Sequence, residues 1–492
     1  MGSETPLDGV VGDEKVALPT LPVQQPRKNG DLFRVGWLLR FFKSRGMRFA
    51  LQFMTVAVFG VVAVAGLIGA QSPDRNAATV LTWTLWWTLL IVMVVLFGKV
   101  WCYVCPWLAV SEWIERLAFW RRTPDASRLS MGLKWPKWLK NIWPATVLFV
   151  IVTWLELGVG ITYSPVLTAY LALGMVVLAL VPALVYDRNA FCEHGCFVGL
   201  IQGVYGMVAP FALRSRDKGF CKTGCTTKDC YVGGADGYAC PVHEYMGTMS
   251  TNTTCMLCME CVTTCGHDNI SLNARWGLGD FAERFKPRSD IGHFCVIVTA
   301  LSFFHAVTML TDYYLWMDTL AQSGYLLAFT GVMAAIVLGT ALLHLRFCWW
   351  ARVFAEREHV PLAKTYLTFA YALVPLAALF HLSHNVFHVL SEGQKVVPVL
   401  SDPFGFGWNL FGTADWYLPP IVGIDPIHWV QLAIMVLGTG LSIAVARRMS
   451  GRLFETAEQA RLAMIPMTIW MLLIGAAGVW LNWQPMVLRT GI

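Results

Sequence analysis

Apolar stretches long enough to cross a bilayer constrain this chain more than any other feature of its sequence. A helix needs about 20 predominantly apolar residues to span the hydrocarbon core. Of the 492 residues, 56% are hydrophobic and 14% charged, whereas a soluble domain carries about 25% charged residues, so the soluble and disordered classes are excluded. We predict nine spans, at residues 47–70, 79–100, 141–162, 165–187, 291–313, 324–347, 364–391, 427–446 and 462–486.

Basic residues at alternate ends of the spans predict the orientation. Flanks rich in Lys and Arg stay in the cytoplasm; Arg34, Arg40 and Lys43 precede the first span, and further basic groups follow the second, sixth and eighth spans. We therefore expect a multi-pass protein of the cytoplasmic (inner) membrane, with the N-terminus inside and the C-terminus outside. The connection 392–426, with Glu392 among its acids, is predicted to lie outside.

The fold class predicted from this pattern, together with the cysteine spacing described next, is an all-α polytopic membrane protein with an inserted, small α+β ferredoxin-like domain. The long polar interval between the fourth and fifth spans is the one large enough to be a domain, and it is cytoplasmic by the same count. The predicted units are a cytoplasmic tail and interfacial segment at 1–46, a four-helix membrane half at 47–212, the ferredoxin-like domain at 213–287, and a five-helix membrane half at 288–492.

Eight cysteines crowd into the predicted domain. The last four, starting at Cys255, have the C-x2-C-x2-C-x3-C spacing of bacterial ferredoxins, in which the fourth thiolate serves the neighbouring cluster. Cytoplasmic cysteines stay reduced, which favours metal ligation over disulfides. A pair of zinc sites is the alternative. We predict two [4Fe-4S] clusters, one held by Cys221, Cys225, Cys230 and Cys265, the other by Cys240, Cys255, Cys258 and Cys261.

Two further cysteine pairs follow the second and fourth spans at the same membrane face. Cys102 and Cys105 are separated by two residues, Cys192 and Cys196 by three, and their flanking sequences resemble each other as in a weak internal repeat. These four thiolates could hold a third iron–sulfur cluster. A redox-active dithiol or inert thiols are the alternatives.

Titratable side chains at membrane depth are costly and mark candidate functional sites. His381, His384 and His388 share one face of the seventh span, and His305 and Glu156 reach a similar depth on the fifth and third spans. Such groups could bind a quinone and accept its protons. Alternatively, His305 with His381 or His384 could ligate a b-type haem, or the histidines could simply satisfy backbone carbonyls.

The sequences around these cysteines, VWCYVCPWLAVSEWIE, AFCEHGCFVGLIQGVYG and CMLCMECVTTCGHDNISLN, resemble the membrane-bound polyferredoxin family. That family includes the membrane iron–sulfur subunit of periplasmic nitrate reduction systems, the C-terminal half of the nitrous-oxide reductase regulator, and the membrane iron–sulfur protein of photosynthetic cyclic electron flow. The resemblance covers about residues 47–275, with Phe197 and Gly266 where the family has proline. It implies electron transfer between the quinone pool and other redox partners.

We therefore expect an electron relay between a cytoplasmic-side redox partner and quinone in the lipid membrane. The expected partners are quinone or quinol and ferredoxin-like or other redox subunits, and nucleic acid is not expected. Whether the chain is itself a quinone-linked oxidoreductase is open at this point. The alternatives are a non-catalytic wiring subunit of a larger membrane redox complex and a redox-sensing or maturation accessory protein.

Overall fold

A computed structural model of the protein describes residues 30–117, 129–275, 278–320, 324–356 and 360–488. These residues are mostly helical, and eight of their helices are long and apolar enough to cross a membrane. The chain is therefore a multi-pass membrane protein. The eight helices are Arg45–Ile68, Ala77–Phe97, Pro165–Val185, Ser289–Thr308, Tyr325–Phe354, Leu362–Ser401, Ile424–Leu453 and Ala457–Asn482.

The third predicted span forms a shorter helix than expected. Trp143–Gly158 has 16 residues and is about 24 Å long, against a hydrocarbon core of about 30 Å. Pro144 lies in its first turn, and Gly160, with a φ of +76°, turns the chain just beyond its end. Eight helices of the described ranges thus reach spanning length, and a ninth crossing, with the orientation that depends on it, stays a prediction.

The centre of the bundle is formed by two spans from the second half of the chain. In the most apolar stretch of each helix, 78% of the residues are buried in Ser289–Thr308 and 83% in Leu362–Ser401, compared with 11% in Tyr325–Phe354. The longer of the two consists of the helices Leu362–Ala370, Val374–Glu392 and Val396–Ser401. Side chains that face inward from these two spans are therefore shielded from lipid by the surrounding helices.

The chain folds back into the bundle after the second span. The short helix Trp101–Val104 is followed by Pro106–Arg116, and the hydroxyl of Thr55 donates to the carbonyl oxygen of Val104 at 2.5 Å. Thr55 lies ten residues beyond the start of its span at Arg45, or about 15 Å along the helix. The turn between these two short helices is therefore recessed into the bundle. A comparable pair of short helices, Ala190–His194 and Phe197–Tyr205, follows the fourth span.

The polar segment between the halves contains the two strands of the described residues. The first strand, Phe211–Ser215 (β1), pairs antiparallel with Ile270–Ala274 (β2), and Leu213 lies opposite Leu272. Three short helices lie between the strands: Lys218–Thr223, Asp229–Val232 and Glu260–Thr264. The remaining α-helices are Gly36–Lys43, before the first span, and Thr311–Leu320, after Ser289–Thr308.

A buried ion-pair network joins this segment to the first membrane half. The guanidinium of Arg48, on the first span, pairs with Glu112 at 3.0 Å and with Glu260 at 3.1 Å. Arg116 also pairs with Glu112, at 3.0 Å. Burial opposes ionisation of Glu112, but Arg116 and Arg48 hold the pKa of that carboxyl below its ordinary value. One arginine thus connects the first span, the recessed turn and the cysteine-rich segment.

Candidate functional site

Four cysteines at one end of the polar segment line a small cavity. Its lining includes the four side chains that we call the distal quartet: Cys221, Cys225, Cys230 and Cys265. The side-chain amide of Asn269 donates to Cys221 Sγ at 3.1 Å, and its backbone amide donates to Cys265 Sγ at 3.4 Å. One asparagine therefore orients two of the four sulfur atoms.

A second small cavity lies deeper in the segment. It is lined by the middle quartet, Cys240, Cys255, Cys258 and Cys261, and by apolar side chains such as Leu213 and Met246. The backbone amide of Glu244 donates to Cys240 Sγ at 3.3 Å. The two cavities divide the eight cysteines as in the crossed ferredoxin assignment: Cys265 joins the earlier cysteines and Cys240 joins the later ones.

Burial makes free thiolates unfavourable in the middle quartet. It raises the pKa of the Cys240, Cys255 and Cys258 thiols to about 12 and that of Cys261 well above its ordinary value. A coordinated metal would stabilise all four as thiolates. A mainly apolar cavity lined by four thiols, with an amide N–H that donates to one sulfur, fits the donor set of a [4Fe-4S] cluster. Among the described residues, no group of three or more His, Cys, Asp or Glu side chains is arranged for a single metal ion.

The two membrane-face pairs also come together, and we call them the membrane quartet: Cys102, Cys105, Cys192 and Cys196. Cys102 and Cys105 belong to an apolar cluster against which Cys192 packs. Burial, followed by the charges of Cys196, Cys105 and Cys102, raises the pKa of the Cys192 thiol. Cys196 caps the helix Phe197–Tyr205, and the amide of Gly199 donates to its Sγ at 3.3 Å. This quartet has the same donor types as the other two.

The three quartets lie in series. Cys230 of the distal quartet and Cys261 of the middle quartet belong to one apolar cluster, together with Met246. Val242 lines the middle cavity and packs with Cys102 and Cys105 of the membrane quartet. The series therefore runs from the polar segment to the recessed turn in the first membrane half.

A separate set of titratable side chains lies between the two central spans. The rings of His305 and His384 have centroids 4.8 Å apart, and those of His384 and His388 are 5.0 Å apart. His388 Nδ1 lies 3.2 Å from a carboxylate oxygen of Glu392, and both side chains are fully buried. With His381 and Tyr205, these residues form what we call the histidine group, whose members are all at most 6% exposed.

Tyr205 belongs to the first membrane half, which carries the membrane quartet, and its side chain contacts the histidine group. Its hydroxyl lies 3.3 Å from His381 Nδ1. Glu156 is buried on Trp143–Gly158, a helix that packs against Ser289–Thr308 through Phe149 and Phe294, with ring centroids 5.7 Å apart. The structure therefore gathers the four predicted histidines and places Glu156 on a helix packed against the span that carries His305.

Sequence reasoning missed two members of the histidine group. Glu392 was expected in the outer connection, but the helix Val374–Glu392 continues to it and buries it beside His388. The spacing of four residues between His388 and Glu392, which places both on one helix face, could have revealed it. Tyr205 follows the cysteine motif by several residues, and nothing in its local sequence points to a histidine on another span.

The geometry bears on the haem alternative at His305 and His384. Axial imidazoles stand on opposite sides of a porphyrin plane. The rings of His305 and His384 instead contact each other directly, edge to face, with an interplanar angle of 63°. This pair therefore does not fit a haem.

Comparison with known proteins identifies one region. Residues 79–124 and 168–220 match a family model described as a 4Fe-4S binding domain. The matched segments contain the whole membrane quartet and end one residue before Cys221. No curated protein and no solved structure matches the chain. The protein is thus an iron–sulfur membrane protein whose match supports at least one [4Fe-4S] cluster, and iron–sulfur electron transfer is its indicated activity.

Proposed function

We propose that this chain is a membrane-bound polyferredoxin that carries three [4Fe-4S] clusters, one in each quartet. It passes single electrons between a redox partner at the distal quartet and a quinone at the histidine group. The observation that carries the proposal is the serial arrangement of the three quartets, from the polar segment into the bundle. A cluster held by four thiolates accepts and releases one electron at a time.

The residues around the quartets have definable tasks. The thiolates hold the clusters, and the amides of Glu244, Asn269 and Gly199 donate to sulfur atoms. Such hydrogen bonds help to set cluster potentials. Apolar side chains such as Leu213, Val242 and Met256 keep water from the middle and membrane quartets.

Basic side chains beside the distal quartet favour an acidic partner. Lys222 and Lys228 are exposed on either side of Cys225, and Cys225 is itself half-buried. Opposite charges on a partner surface steer association and set the orientation of docking. An acidic, ferredoxin-like protein or subunit fits this surface.

The histidine group suits quinone chemistry. Oxidation of a quinol to a quinone releases two electrons and two protons, and neutral imidazoles and a carboxylate can accept the protons. The ammonium of Lys395 lies 3.9 Å from a carboxylate oxygen of Glu392, and the Lys395 side chain is 22% exposed. Titratable groups therefore continue from the buried histidines towards the surface. The group would hold the quinone oxygens and move protons, while the electrons pass singly to or from the membrane quartet.

The proposal is tested first by metal content. The full-length chain, purified anaerobically in detergent, should contain about twelve irons and as many sulfides, with the electron paramagnetic resonance signals of reduced [4Fe-4S] clusters. Colourless protein that contains zinc would contradict it.

Quinone reactivity is tested on the same material. Chain reduced by dithionite should be reoxidised by decylubiquinone in a single turnover. Clusters that are reducible but inert to this quinone and to menadione would leave the wiring-subunit alternative and exclude the quinone site.

A further inference from the structure

A series of aromatic rings in contact joins the membrane quartet to the histidine group. Trp101 and Trp107 pack against the apolar cluster that contains Cys102 and Cys105. The ring of Trp86 lies 5.4 Å from that of Trp101 and 6.1 Å from that of Trp107, measured between centroids. The series continues from Trp86 to Trp87 at 5.8 Å and from Trp87 to His381 at 5.7 Å.

Two consecutive residues carry this series across a membrane helix. Adjacent side chains on a helix diverge by about 100°, so they face different neighbours. Trp86 contacts rings of the recessed turn, and Trp87 contacts His381 of the seventh predicted span. Trp86 also ends a π-helical stretch, Val80–Trp86, a backbone feature that is frequent at functional sites.

Each of the four tryptophans in this series has one polar atom, the indole nitrogen, that lacks a hydrogen-bond partner among the described residues. The indole N–H groups of Trp86, Trp87, Trp101 and Trp107 are buried and make no hydrogen bond within the described part of the chain. An unmade hydrogen bond of this kind is destabilising, and leucine or phenylalanine would avoid that cost while filling the same space. By contrast, the N–H of Trp83, one turn earlier, donates to the Thr168 hydroxyl at 2.9 Å. The property that sets the four indoles apart from such replacements is their large π system.

We propose that Trp86 and Trp87 form the electron-transfer bridge between the membrane quartet and the quinone at the histidine group. This inference rests on the proposed function. Each electron crosses singly through the indole rings between cluster and quinone, and two crossings, with two protons taken up at the histidine group, reduce one quinone to quinol. In the opposite direction the two electrons of a quinol cross one at a time through the same rings, which are neither oxidised nor reduced, and pass to the cluster, and the two protons are released at the histidine group.

The test is a pre-steady-state measurement on the full chain with Trp86→Leu and Trp87→Leu. Clusters reduced by dithionite are mixed with decylubiquinone, and their reoxidation is followed optically. We expect each variant to react slower by about tenfold or more, with iron content and cluster midpoint potentials unchanged. Trp86→Phe and Trp87→Phe, which keep a ring, should recover part of the rate.

The matched control is Trp83→Leu, which removes an indole from the same helix outside the series. Its reoxidation rate should equal that of the wild type. Wild-type rates in both Trp86→Leu and Trp87→Leu, with quinone still reduced, would overturn the bridge and leave the proposed function standing. If decylubiquinone does not reoxidise the reduced clusters of the wild-type chain, both the bridge and the proposed quinone site are wrong.

Discussion

The two membrane halves of this protein present their reactive side chains in opposite ways. In the first half, Cys102 and Cys105 lie at a recessed turn, Cys192 lies on a short helix, and Cys196 caps the next short helix. In the second half, three histidines and Glu392 lie along the single helix Val374–Glu392. Four thiolates that ligate one cluster must approach it from different directions, and this requires an irregular backbone. A row of hydrogen-bonding groups needs only one helix face.

Removing one thiolate should have the largest effect on the cysteine side of this comparison. Cys258→Ser takes a ligand from the middle quartet, so we expect iron to fall from about twelve to about eight per chain. Iron and sulfide analysis with low-temperature paramagnetic resonance would measure the loss. Cys348→Ser is the control, because Cys348 is fully buried among core side chains. Loss of iron from this variant would show that Cys348 is a ligand and that our assignment of the cluster ligands is wrong.

A cysteine-to-serine substitution in the recessed turn tests the membrane quartet independently of the ferredoxin-like segment. Cys102→Ser should also remove about four irons, while the distal and middle quartets keep their signals and remain reducible by dithionite. Reoxidation by decylubiquinone should stop, because the series ends before the histidine group. Cys295→Ser provides the matched control. Retention of all the iron in Cys102→Ser would argue that this quartet is a dithiol or a set of inert thiols.

A variant without the ion pairs of Arg48 tests whether the cysteine quartets depend on contacts between the first span, the recessed turn and the cysteine-rich segment. Arg48→Met leaves the buried carboxylates of Glu112 and Glu260 with one cation fewer. Breaking a buried pair in this way costs about 3–5 kcal/mol, and we expect a lower Tm and easier loss of iron from the middle and membrane quartets. Arg75→Met is the control, because the side chain of Arg75 is 79% exposed. Equal stability of the two variants would contradict the network's role.

A histidine variant tests the other side of the comparison. His384→Gln removes the ring that contacts both His305 and His388, and we expect quinone-linked reoxidation to slow by about a hundredfold, the scale of a lost acid–base group. Iron content should not change. His344→Gln is the control, because Trp470 donates to His344 Nδ1 at 3.2 Å and the carbonyl oxygen of Tyr366 lies 3.2 Å from Nε2. Equal slowing in both variants would indicate a packing effect.

Sequence reasoning reached the features that short spacings or helical periods encode. The multi-pass architecture and the iron–sulfur character are confirmed. Loops of a few residues decide which cysteines between 221 and 265 can meet, and a single helix period aligns His381, His384 and His388. Similar flanks after two spans suggested the membrane quartet, and it is this quartet that the 4Fe-4S binding family covers.

The features that sequence reasoning did not reach depend on contacts between distant segments or on where a helix ends. Pro144 and Gly160 bound the third predicted span and make it shorter than the apolar stretch suggested. Glu392 was assigned to the outer connection 392–426, which begins where the seventh predicted span ends, whereas its pairing with His388 makes its burial on the helix tolerable. The contacts of Trp86 and Trp87 involve two different segments, and no local pattern encodes both.

The smallest effect that we predict concerns Lys99, where the first membrane half meets the polar segment. Lys99 is buried, its ammonium donates to the carbonyl oxygen of Thr253 at 3.0 Å, and among the described residues it forms no ion pair with a carboxylate. Its charge favours the thiolates of Cys102 and Cys196. An unpaired buried cation is costly, and a cluster with four thiolate ligands would supply the compensating negative charge.

Reduction adds one negative charge to that cluster, so the cation favours the reduced form. Lys99→Met should therefore lower the midpoint potential of the membrane-quartet cluster by about 60 mV, a tenfold change in a one-electron equilibrium. The potentials of the other two clusters should move less, and redox titration followed by paramagnetic resonance would resolve the three. Lys222→Met, at an exposed site beside the distal quartet, is the control. An unchanged potential in Lys99→Met would mean that the ammonium is compensated elsewhere and that the membrane quartet holds no charged cluster near it.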